Sequence, residues 1–345
     1  MRSLAAVSSL LMWPLSVTIS PVSIVARSPG GNTGDHRPID LPRHTNAVLD
    51  PQAGKQATLP HCMKRFWIMC RFVLLVIALC FASSSLAGEA DLTLDRGIAA
   101  TLSMPEGEGP FPAVLLLHGL GADRHEIGNI YVDSAEILAE KGIASLRFDF
   151  RGFGKSSGDT GAFTLDRQNE DALIGLEALM SAKGVDPERI GAVGFSFGGG
   201  AAIELAAARP ETIKSVVVWS PVGDYVADML DSLGQKAFDR AAEEGVVGLD
   251  LGWRTMALKR DFFDSLFAHD LLEALAAYPG PFMMINGEDD FYRQYATPMM
   301  EAAAGTDKKA LVIEGADHIY HVYTPSRSKA GQVIEATVER FRETL

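Results

Sequence analysis

The sequence predicts an α/β fold in which a mostly parallel central sheet is flanked by helices and carries an inserted helical lid or cap. Strand-like and helix-like segments alternate after Gly88, which is the pattern of a parallel sheet covered by helices on both faces. A short apolar strand leads into Gly194-Phe195-Ser196-Phe197-Gly198 and then into an alanine-rich helix. The alternation stops between Pro221 and Pro279, where we place the insertion.

The composition excludes several classes of function. The 345 residues have a formal net charge of −13, and residues 88–345 carry 23 Lys and Arg against 41 Asp and Glu, a formal charge of −18. Such a charge opposes binding to nucleic acid or to an anionic membrane surface. No cysteine follows Cys80, so a cysteine nucleophile or thiolate metal site is excluded after that point. Because the eight histidines are scattered and no cofactor motif appears, we expect neither a metal nor a cofactor.

The first 87 residues contain a predicted export signal, which is preceded by 62 residues with no regular hydrophobic pattern. Residues 1–62 show no sustained period of 2 or 3.6, and we expect disorder or a non-native upstream extension there. Residues 63–87 resemble a secretory signal peptide, with basic first residues, an apolar core and a small-residue cleavage site at Ser85-Leu86-Ala87. We therefore expect translation to start at Met63 and the exported protein, periplasmic or secreted, to begin near Gly88.

Other interpretations of this segment stay open. The apolar run is about half the length that a membrane span requires, which favours a signal peptide that is cleaved and leaves no stable span. If the signal is not cleaved, it would instead anchor the protein in the membrane. The earlier apolar run Leu4–Ile19 is the poorer signal, because it contains Pro14 and only one nearby basic residue, Arg2.

Residues 88–345 form the predicted globular domain. Continuous apolar runs predict buried parallel strands and amphipathic runs predict helices. The expected elements before the lid are an edge hairpin in Leu92–Met104, strands at Pro112–His118, Gly142–Phe150 and Ile213–Ser220, helices at Val132–Lys141 and Leu165–Ala182, and the strand and helix around Ser196. Strands at Phe282–Asn286 and Ala310–Glu314 and a helix from about Ser326 to Glu343 follow the lid. The alternative for residues 221–279 is a helical layer packed on the core.

Ser196 is the candidate nucleophile. A serine hydroxyl is weak at its free pKa and must be held at an exposed tip beside a base and backbone N–H donors. A sharp strand-to-helix turn provides this, and it requires glycine at both flanks for clearance. A second G-x-S-x-G copy, Gly154–Gly158, stands four residues beyond its strand and precedes no helix, so we interpret it as a loop.

The partners of the nucleophile are expected on loops after later strands, at the carboxyl edge of the sheet. Asp290 and His318 each follow a strand and a glycine, and we assign them as the orienting acid and the general base. Asp289 is the alternative acid, but Asp290 is preferred because it lies further beyond the strand end. His321 is the alternative base, but it lacks the strand-glycine approach, and Asp317 is too close to His318 to face its ring.

Charge that develops on a carbonyl oxygen during attack needs two aimed N–H donors. The backbone N–H of Phe197, immediately after the nucleophile, is one, and the N–H of Leu120 in His118-Gly119-Leu120-Gly121 is the other. For His118 itself we expect a structural role that braces this loop.

Taken in order, these motifs resemble the α/β-hydrolase superfamily over about residues 92–343. The sequence of residues 118–124 and 144–156 is most similar to that of bacterial cinnamoyl and feruloyl esterases and related carboxylesterases. Phe195 and Asn286 depart from this resemblance, because histidine is common at both positions. Dienelactone hydrolases are similar in fold but use cysteine where Ser196 stands, and haloalkane dehalogenases require aspartate there.

The resemblance and the candidate triad imply an exported serine carboxylesterase that acts on a small-molecule ester through an acyl-enzyme. Trp219 and Trp253 are candidate walls of an apolar substrate pocket, with core packing as the alternative for each. The rival functions are a peptidase or amidase, a dienelactone-hydrolase-like enzyme and a non-catalytic binding protein that has kept the fold. No oligomeric state is predicted.

Overall fold

The computed structural model describes residues 88–250 and 254–345. The expectations for segments 1–62 and 63–87 lie outside the described residues. The strands are β1 (Gly88–Thr93), β2 (Ala99–Met104), β3 (Phe111–Leu117), β4 (Ala144–Phe148), β5 (Val185–Phe195), β6 (Ile213–Trp219), β7 (Val246–Asp250), β8 (Thr255–Lys259), β9 (Phe282–Gly287) and β10 (Lys308–Ile313). The helices are α1 (Ile130–Glu140), α2 (Leu165–Met180), α3 (Phe197–Ala208), α4 (Tyr225–Leu233), α5 (Gln235–Glu244), α6 (Arg260–Ser265), α7 (Leu271–Ala277), α8 (Ala296–Ala302) and α9 (Ser328–Thr344).

Eight of these strands form the central sheet, in the order β1-β2-β4-β3-β5-β6-β9-β10. The pairs from β4 across to β10 are parallel, whereas β2 runs antiparallel to both β1 and β4. The expected edge hairpin and mostly parallel sheet are thus confirmed. Because the parallel strands all point the same way, the loops after β3, β5, β9 and β10 emerge at one edge of the sheet.

The sheet divides the hydrophobic core into two layers. Along β3, Ala113, Leu115 and Leu117 pack into the layer that contains α2 and α3. Val114 and Leu116 pack into the opposite layer, with α1 and α9. Successive strand residues face opposite sides, so a strand buried on both faces must be apolar throughout, which explains its continuous apolar sequence.

The segment between β6 and β9, which we call the cap, forms the expected insertion. It contains α4 to α7 and also the two-stranded antiparallel sheet β7–β8, so the expectation of helices alone is corrected. Val247 and Leu249 on β7 and Met256 and Leu258 on β8 are buried, and the residues between them are exposed. This alternation has a period of 2, which suits a half-buried strand and not a helix.

Among residues 88–250 and 254–345, no helix combines the length and the apolar character that crossing a membrane requires.

Candidate active site

Ser196 stands at the tip of the sharp turn that joins β5 to α3. Its backbone has φ 53° and ψ −120°, a conformation that residues with a side chain rarely adopt. The turn is fixed from both sides, since Ser196 N–H donates to Trp219 O at 2.9 Å and Gly199 N–H donates to Ser196 O at 2.9 Å. The surrounding structure therefore holds Ser196 in a strained backbone conformation, half-buried at the wall of a cavity.

The two positions that flank this turn must be glycine, because neither has room for a Cβ atom. A Cβ on Gly194 would lie 2.0 Å from Gly198 O, and a Cβ on Gly198 would lie 2.0 Å from Leu117 O. Both obstacles are backbone atoms and cannot move aside as a flexible side chain can. The sequence argument for glycine at these two positions agrees with this geometry.

The second G-x-S-x-G copy lies in a loop, as expected. The Ser156 hydroxyl donates to Asp149 O at 2.5 Å and accepts from Ala99 N–H at 2.8 Å. These bonds tie the loop after β4 to β2, so the role of Ser156 is structural.

His318 and Asp290 meet at the carboxyl edge of β9 and β10. His318 Nδ1 lies 2.9 Å from Asp290 Oδ1, and the Asp290 side chain is fully buried. A carboxylate at Nδ1 fixes the proton on that nitrogen and leaves Nε2 free to accept one. Asp289 is exposed, and the alternative base His321 lies 3.8 Å from Asp317 and does not line the cavity that contains Ser196.

The Asp290 carboxylate is held by several donors. Asn286 Nδ2 donates to Oδ2 at 2.9 Å, and Tyr292 N–H donates to Oδ1 at 3.0 Å. Burial by itself would raise the pKa of Asp290, but the hydrogen bond and charge of His318, with bonds from Ser220 and Tyr292, outweigh it and hold the pKa below its usual value. The carboxylate therefore stays ionised. The sequence identified Asn286 only as a position at which similar esterases commonly have histidine, and did not predict its hydrogen bond to Asp290.

Three aromatic rings enclose the His318 imidazole. Phe291 stacks on it at 4.3 Å between centroids, Phe195 lies at 5.1 Å, and Tyr292 meets it edge-on at 4.9 Å. These contacts restrict rotation of the ring. Phe291 is itself 61% exposed, which places an apolar side chain at the rim of the site.

The loop after β3 presents Leu120 to the same cavity as Ser196. Phe150 N–H donates to His118 Nε2 at 3.0 Å, so the proton of the neutral ring is on Nδ1, which lies 2.8 Å from Gly119 O. Burial lowers the pKa of His118 and favours this neutral form. Gly119 O and Leu120 N–H belong to one peptide plane and point in opposite directions. The brace expected for His118 therefore orients the Leu120 N–H.

Phe197 is the first residue of α3 and lines the cavity beside Ser196. The first N–H groups of a helix have no partner within the helix and lie at the positive end of its dipole. The Phe197 N–H is thus suited to stabilise a developing negative charge.

Ser196 and His318 line one cavity of about 480 Å³, a size that suits a small molecule. Trp219 is not among its lining residues. The Trp219 side chain is fully buried against α1 and α9, and its Nε1 donates to Thr337 Oγ1 at 2.8 Å. The expectation of a pocket wall at Trp219 is therefore wrong, and the core-packing alternative holds. Trp253, the other candidate wall, lies outside the described residues.

The cap contributes two charged residues to this cavity, Asp228 from α4 and Arg254 beside β8. Asp228 is 4% exposed, and among the described residues its Oδ2 has no hydrogen-bond partner. Burial raises the pKa of Asp228 to about 6. The Tyr292 side chain interacts with both Asp228 and Ser196, so this carboxyl group lies close to the nucleophile. Sequence reasoning missed both cap residues, although isolated charges within the aromatic segment were a signal.

Within residues 88–250 and 254–345, no group of three or more His, Cys, Asp or Glu side chains has an arrangement suited to a metal ion. The chemistry that this arrangement offers is that of a hydroxyl, an imidazole with its carboxylate, and backbone N–H groups.

Comparison with known proteins agrees with this architecture. The alpha/beta hydrolase family matches residues 114–330. An uncharacterised 31.7 kDa protein from the traX-finO intergenic region of Escherichia coli is 35% identical over 127 residues, a match that covers 37% of this chain and 43% of that protein. Esterase FrsA of Klebsiella pneumoniae is 35% identical over 140 residues, which covers 39% of this chain and 31% of the esterase. The chain thus spans less than half the length of these curated relatives.

A solved structure supports the fold independently. Est1E from Butyrivibrio proteoclasticus, determined with ferulic acid bound, has a TM-score of 0.57 and 23% sequence identity, over 72% of this chain and 98% of that one. Likeness at this identity concerns the fold. The family match, by contrast, spans more than half of the sequence and includes the turn at Ser196 and the loops with Asp290 and His318. The chain therefore belongs to the alpha/beta hydrolase family.

Proposed function

We propose that this protein is a serine carboxylesterase that acts through an acyl-enzyme on Ser196. The observation that carries the proposal is one cavity lined both by the strained Ser196 turn and by His318, whose Nδ1 is paired with the buried Asp290. The esterase among the relatives points to the same class of reaction.

In the proposed reaction, Ser196 Oγ attacks the ester carbonyl carbon and His318 Nε2 takes the hydroxyl proton. The N–H groups of Leu120 and Phe197 stabilise the negative charge on the carbonyl oxygen. His318 then protonates the leaving alcohol, which leaves the acyl group on Ser196. Water then attacks the acyl carbonyl carbon while His318 takes its proton, and His318 returns that proton to Ser196 Oγ as the bond to the acyl group breaks and the acid is released. Asp290 keeps the imidazole in the required tautomer throughout.

A fluorophosphonate probe combined with an aryl ester assay tests this proposal. We expect the protein to be labelled and to hydrolyse p-nitrophenyl esters, and we expect Ser196→Ala to lose both properties. The matched control is Ser156→Ala, in the second G-x-S-x-G copy, which should still be labelled. Labelling that survives in Ser196→Ala, or a wild-type protein that is never labelled, would contradict the assignment and favour a binding protein with this fold.

For the substrate, we propose esters that carry a hydrogen-bond donor, with hydroxyaryl esters as the first class to test. The unpartnered Oδ2 of Asp228 in the cavity wall favours such a group, because a buried carboxyl oxygen without a partner is unfavourable until a ligand supplies one. The solved relative that binds ferulic acid suggests the same class. Comparing methyl ferulate with its 4-methoxy analogue tests this proposal: equal kcat/KM for the two esters would contradict it.

The amidase and dienelactone-hydrolase alternatives make different predictions. An amidase would turn over p-nitroanilides at rates comparable to the matching p-nitrophenyl esters, whereas we expect the esters to be strongly preferred. A dienelactone-hydrolase-like enzyme would open an enol lactone in preference to both.

We also propose export, on the basis of residues 63–87. Cell fractionation with N-terminal sequencing of the mature protein tests this. A mature N-terminus near Gly88 in the periplasm or medium is the expected result, and a cytoplasmic protein that retains residues before Met63 would contradict it.

A further inference from the structure

Glu126 is a buried carboxylate of the cavity wall that the proposed reaction does not use. It is 7% exposed and lies between the loop after β3 and the start of α1. Its two oxygens bind backbone groups on both sides: Oε2 accepts Gly119 N–H at 2.6 Å, and Oε1 accepts Ile127 N–H at 2.8 Å. Short bonds from N–H groups to both oxygens are typical of an ionised carboxylate.

The backbone conformation of Glu126 and the burial of its carboxyl group both oppose folding. Its backbone has φ 59° and ψ 172°, a region that strongly favours glycine. Burial also raises the pKa of Glu126 to about 7, because the charged form is taken out of water. Both features are unfavourable to folding, and unfavourable features of this kind concentrate at functional sites.

The hydrogen bond from Gly119 N–H to Glu126 holds the peptide plane that precedes Gly119 in the loop after β3. Gly119 lies between two planes. The plane after it carries the Leu120 N–H, and its carbonyl is bound by His118 Nδ1 and by Ala122 N–H at 3.2 Å. The plane before it carries the Gly119 N–H, whose side-chain acceptor is Glu126. Since glycine turns freely about both of its backbone bonds, the Leu120 N–H keeps one direction relative to β3 only when both planes are held, the second by His118 and Ala122 and the first by Glu126.

We propose that Glu126 is a positioning residue of this site, whose carboxylate fixes Gly119 so that the Leu120 N–H points at the carbonyl oxygen of the substrate. The inference rests on the proposed function. Glu126 touches neither the substrate nor Ser196 in this role. Its effect is confined to the transition state, in which the carbonyl oxygen becomes negative and needs the aimed donor.

Two substitutions test the inference. Glu126→Gln keeps the shape but offers only one acceptor oxygen, so its NH₂ group opposes one of the two backbone N–H groups. Glu126→Gly removes the side chain and also relieves the backbone. We expect kcat to fall about 10- to 100-fold in both variants with KM changed by less than about 3-fold, since a misaimed donor weakens transition-state binding alone. Phenylboronic acid, which forms a tetrahedral adduct on the serine, should lose affinity by a similar factor.

The readouts separate this role from a merely structural one. All kcat values are expressed per reactive site, counted by end-point fluorophosphonate titration, and Tm is measured for each variant. We expect Glu126→Gly to keep or exceed the wild-type Tm while it loses kcat. Glu140→Gln, the same change at an exposed position of α1, is the control and should match the wild type.

Wild-type kcat and wild-type phenylboronic acid affinity in either variant would overturn the inference. So would a rise in KM at unchanged kcat. Failure of the proposed function is distinguishable, because in that case the wild-type protein itself would neither be labelled nor turn over esters.

Discussion

The Asp290 carboxylate binds His318 Nδ1 at 2.9 Å with one oxygen and Asn286 Nδ2 at 2.9 Å with the other. Asn286 is the second-last residue of β9, so the strand that delivers the acid to the site also supplies the donor that fixes its orientation. A carboxylate clamped in this way cannot rotate away from the imidazole. The position of the imidazole is therefore determined by the sheet and not by the loop alone.

Asp290→Asn should lower kcat by about 10³- to 10⁴-fold at pH 8, because an amide at this position no longer fixes the His318 tautomer or stabilises the imidazolium. The measurement is kcat on a p-nitrophenyl ester. Asp289→Asn is the matched control, one residue away and exposed, and its kcat should stay within about 2-fold of the wild type. The opposite result, with activity lost at Asp289 and retained at Asp290, would assign the acid to Asp289.

Gly198→Ala should prevent folding or destabilise the protein by more than about 4 kcal/mol, because the new Cβ would lie 2.0 Å from Leu117 O. Thermal unfolding followed by circular dichroism measures this effect. Gly331→Ala is the control: it lies in α9, where an added Cβ meets nothing within 4 Å. It should raise stability by about 0.5 to 1 kcal/mol. A Gly198→Ala protein with the wild-type Tm would show that the turn at Ser196 has room to relax.

The sequence predicted the sheet and the meeting of Asp290 with His318 for a simple physical reason. Parallel strands that end at one edge bring the residues after them together, whatever their separation along the chain. The pairing of Asn286 with Asp290 was not predicted, because an apolar strand followed by a glycine does not specify where the last polar side chain points.

The expectation that Trp219 lines the pocket was wrong because this side chain lies on the opposite face of the central sheet from the one covered by α3. Neighbouring residues of a strand face opposite layers, and Val218 packs in the layer with α3 while Trp219 packs in the layer with α1 and α9. Composition alone cannot make that choice. In the cap, the period-2 spacing of Val247 and Leu249 was present in the sequence, but the surrounding Asp, Leu and Phe residues suggested helix.

Asp228→Asn should raise stability at neutral pH and have little effect at pH 4. The pKa of Asp228 is raised to about 6, so between its unfolded value and about 6 the native state binds more protons than the unfolded state, and stability falls as pH rises. Replacement by a neutral amide removes this penalty, which amounts to roughly 1 to 3 kcal/mol. The measurement is Tm from pH 4 to pH 8.

The control for this pH effect is Asp239→Asn, an exposed position on α5, which should show no pH-dependent change in Tm relative to the wild type. An Asp228→Asn variant that is less stable than the wild type at pH 7.5 would indicate that Oδ2 of the carboxylate has a stabilising partner of its own, besides the interaction of Asp228 with Tyr292. That result would remove the argument for a substrate donor at this position.

Arg254 links the cap to the loop that carries Leu120. Its Nη1 donates to Gly121 O at 2.5 Å, and its guanidinium lies 5.3 Å from the centroid of the Phe153 ring. Arg254→Met keeps the apolar length of the side chain but loses the donor, so we expect kcat to fall by roughly 3- to 10-fold, less than the full value of a charged hydrogen bond because the site is partly exposed. Arg260→Met, an exposed residue of α6, is the control and should have no effect.

The dependence on substrate size distinguishes this link from a role in the pocket wall. A loop that aims the Leu120 N–H acts on the carbonyl oxygen that every ester shares, so Arg254→Met should lower kcat for p-nitrophenyl acetate and for a bulky aryl ester by the same factor. A wall residue would affect the bulky ester more strongly, because that substrate fills more of the cavity. Unequal losses, concentrated in the larger ester, would therefore assign Arg254 to substrate binding and leave the loop to be held by His118 and Glu126.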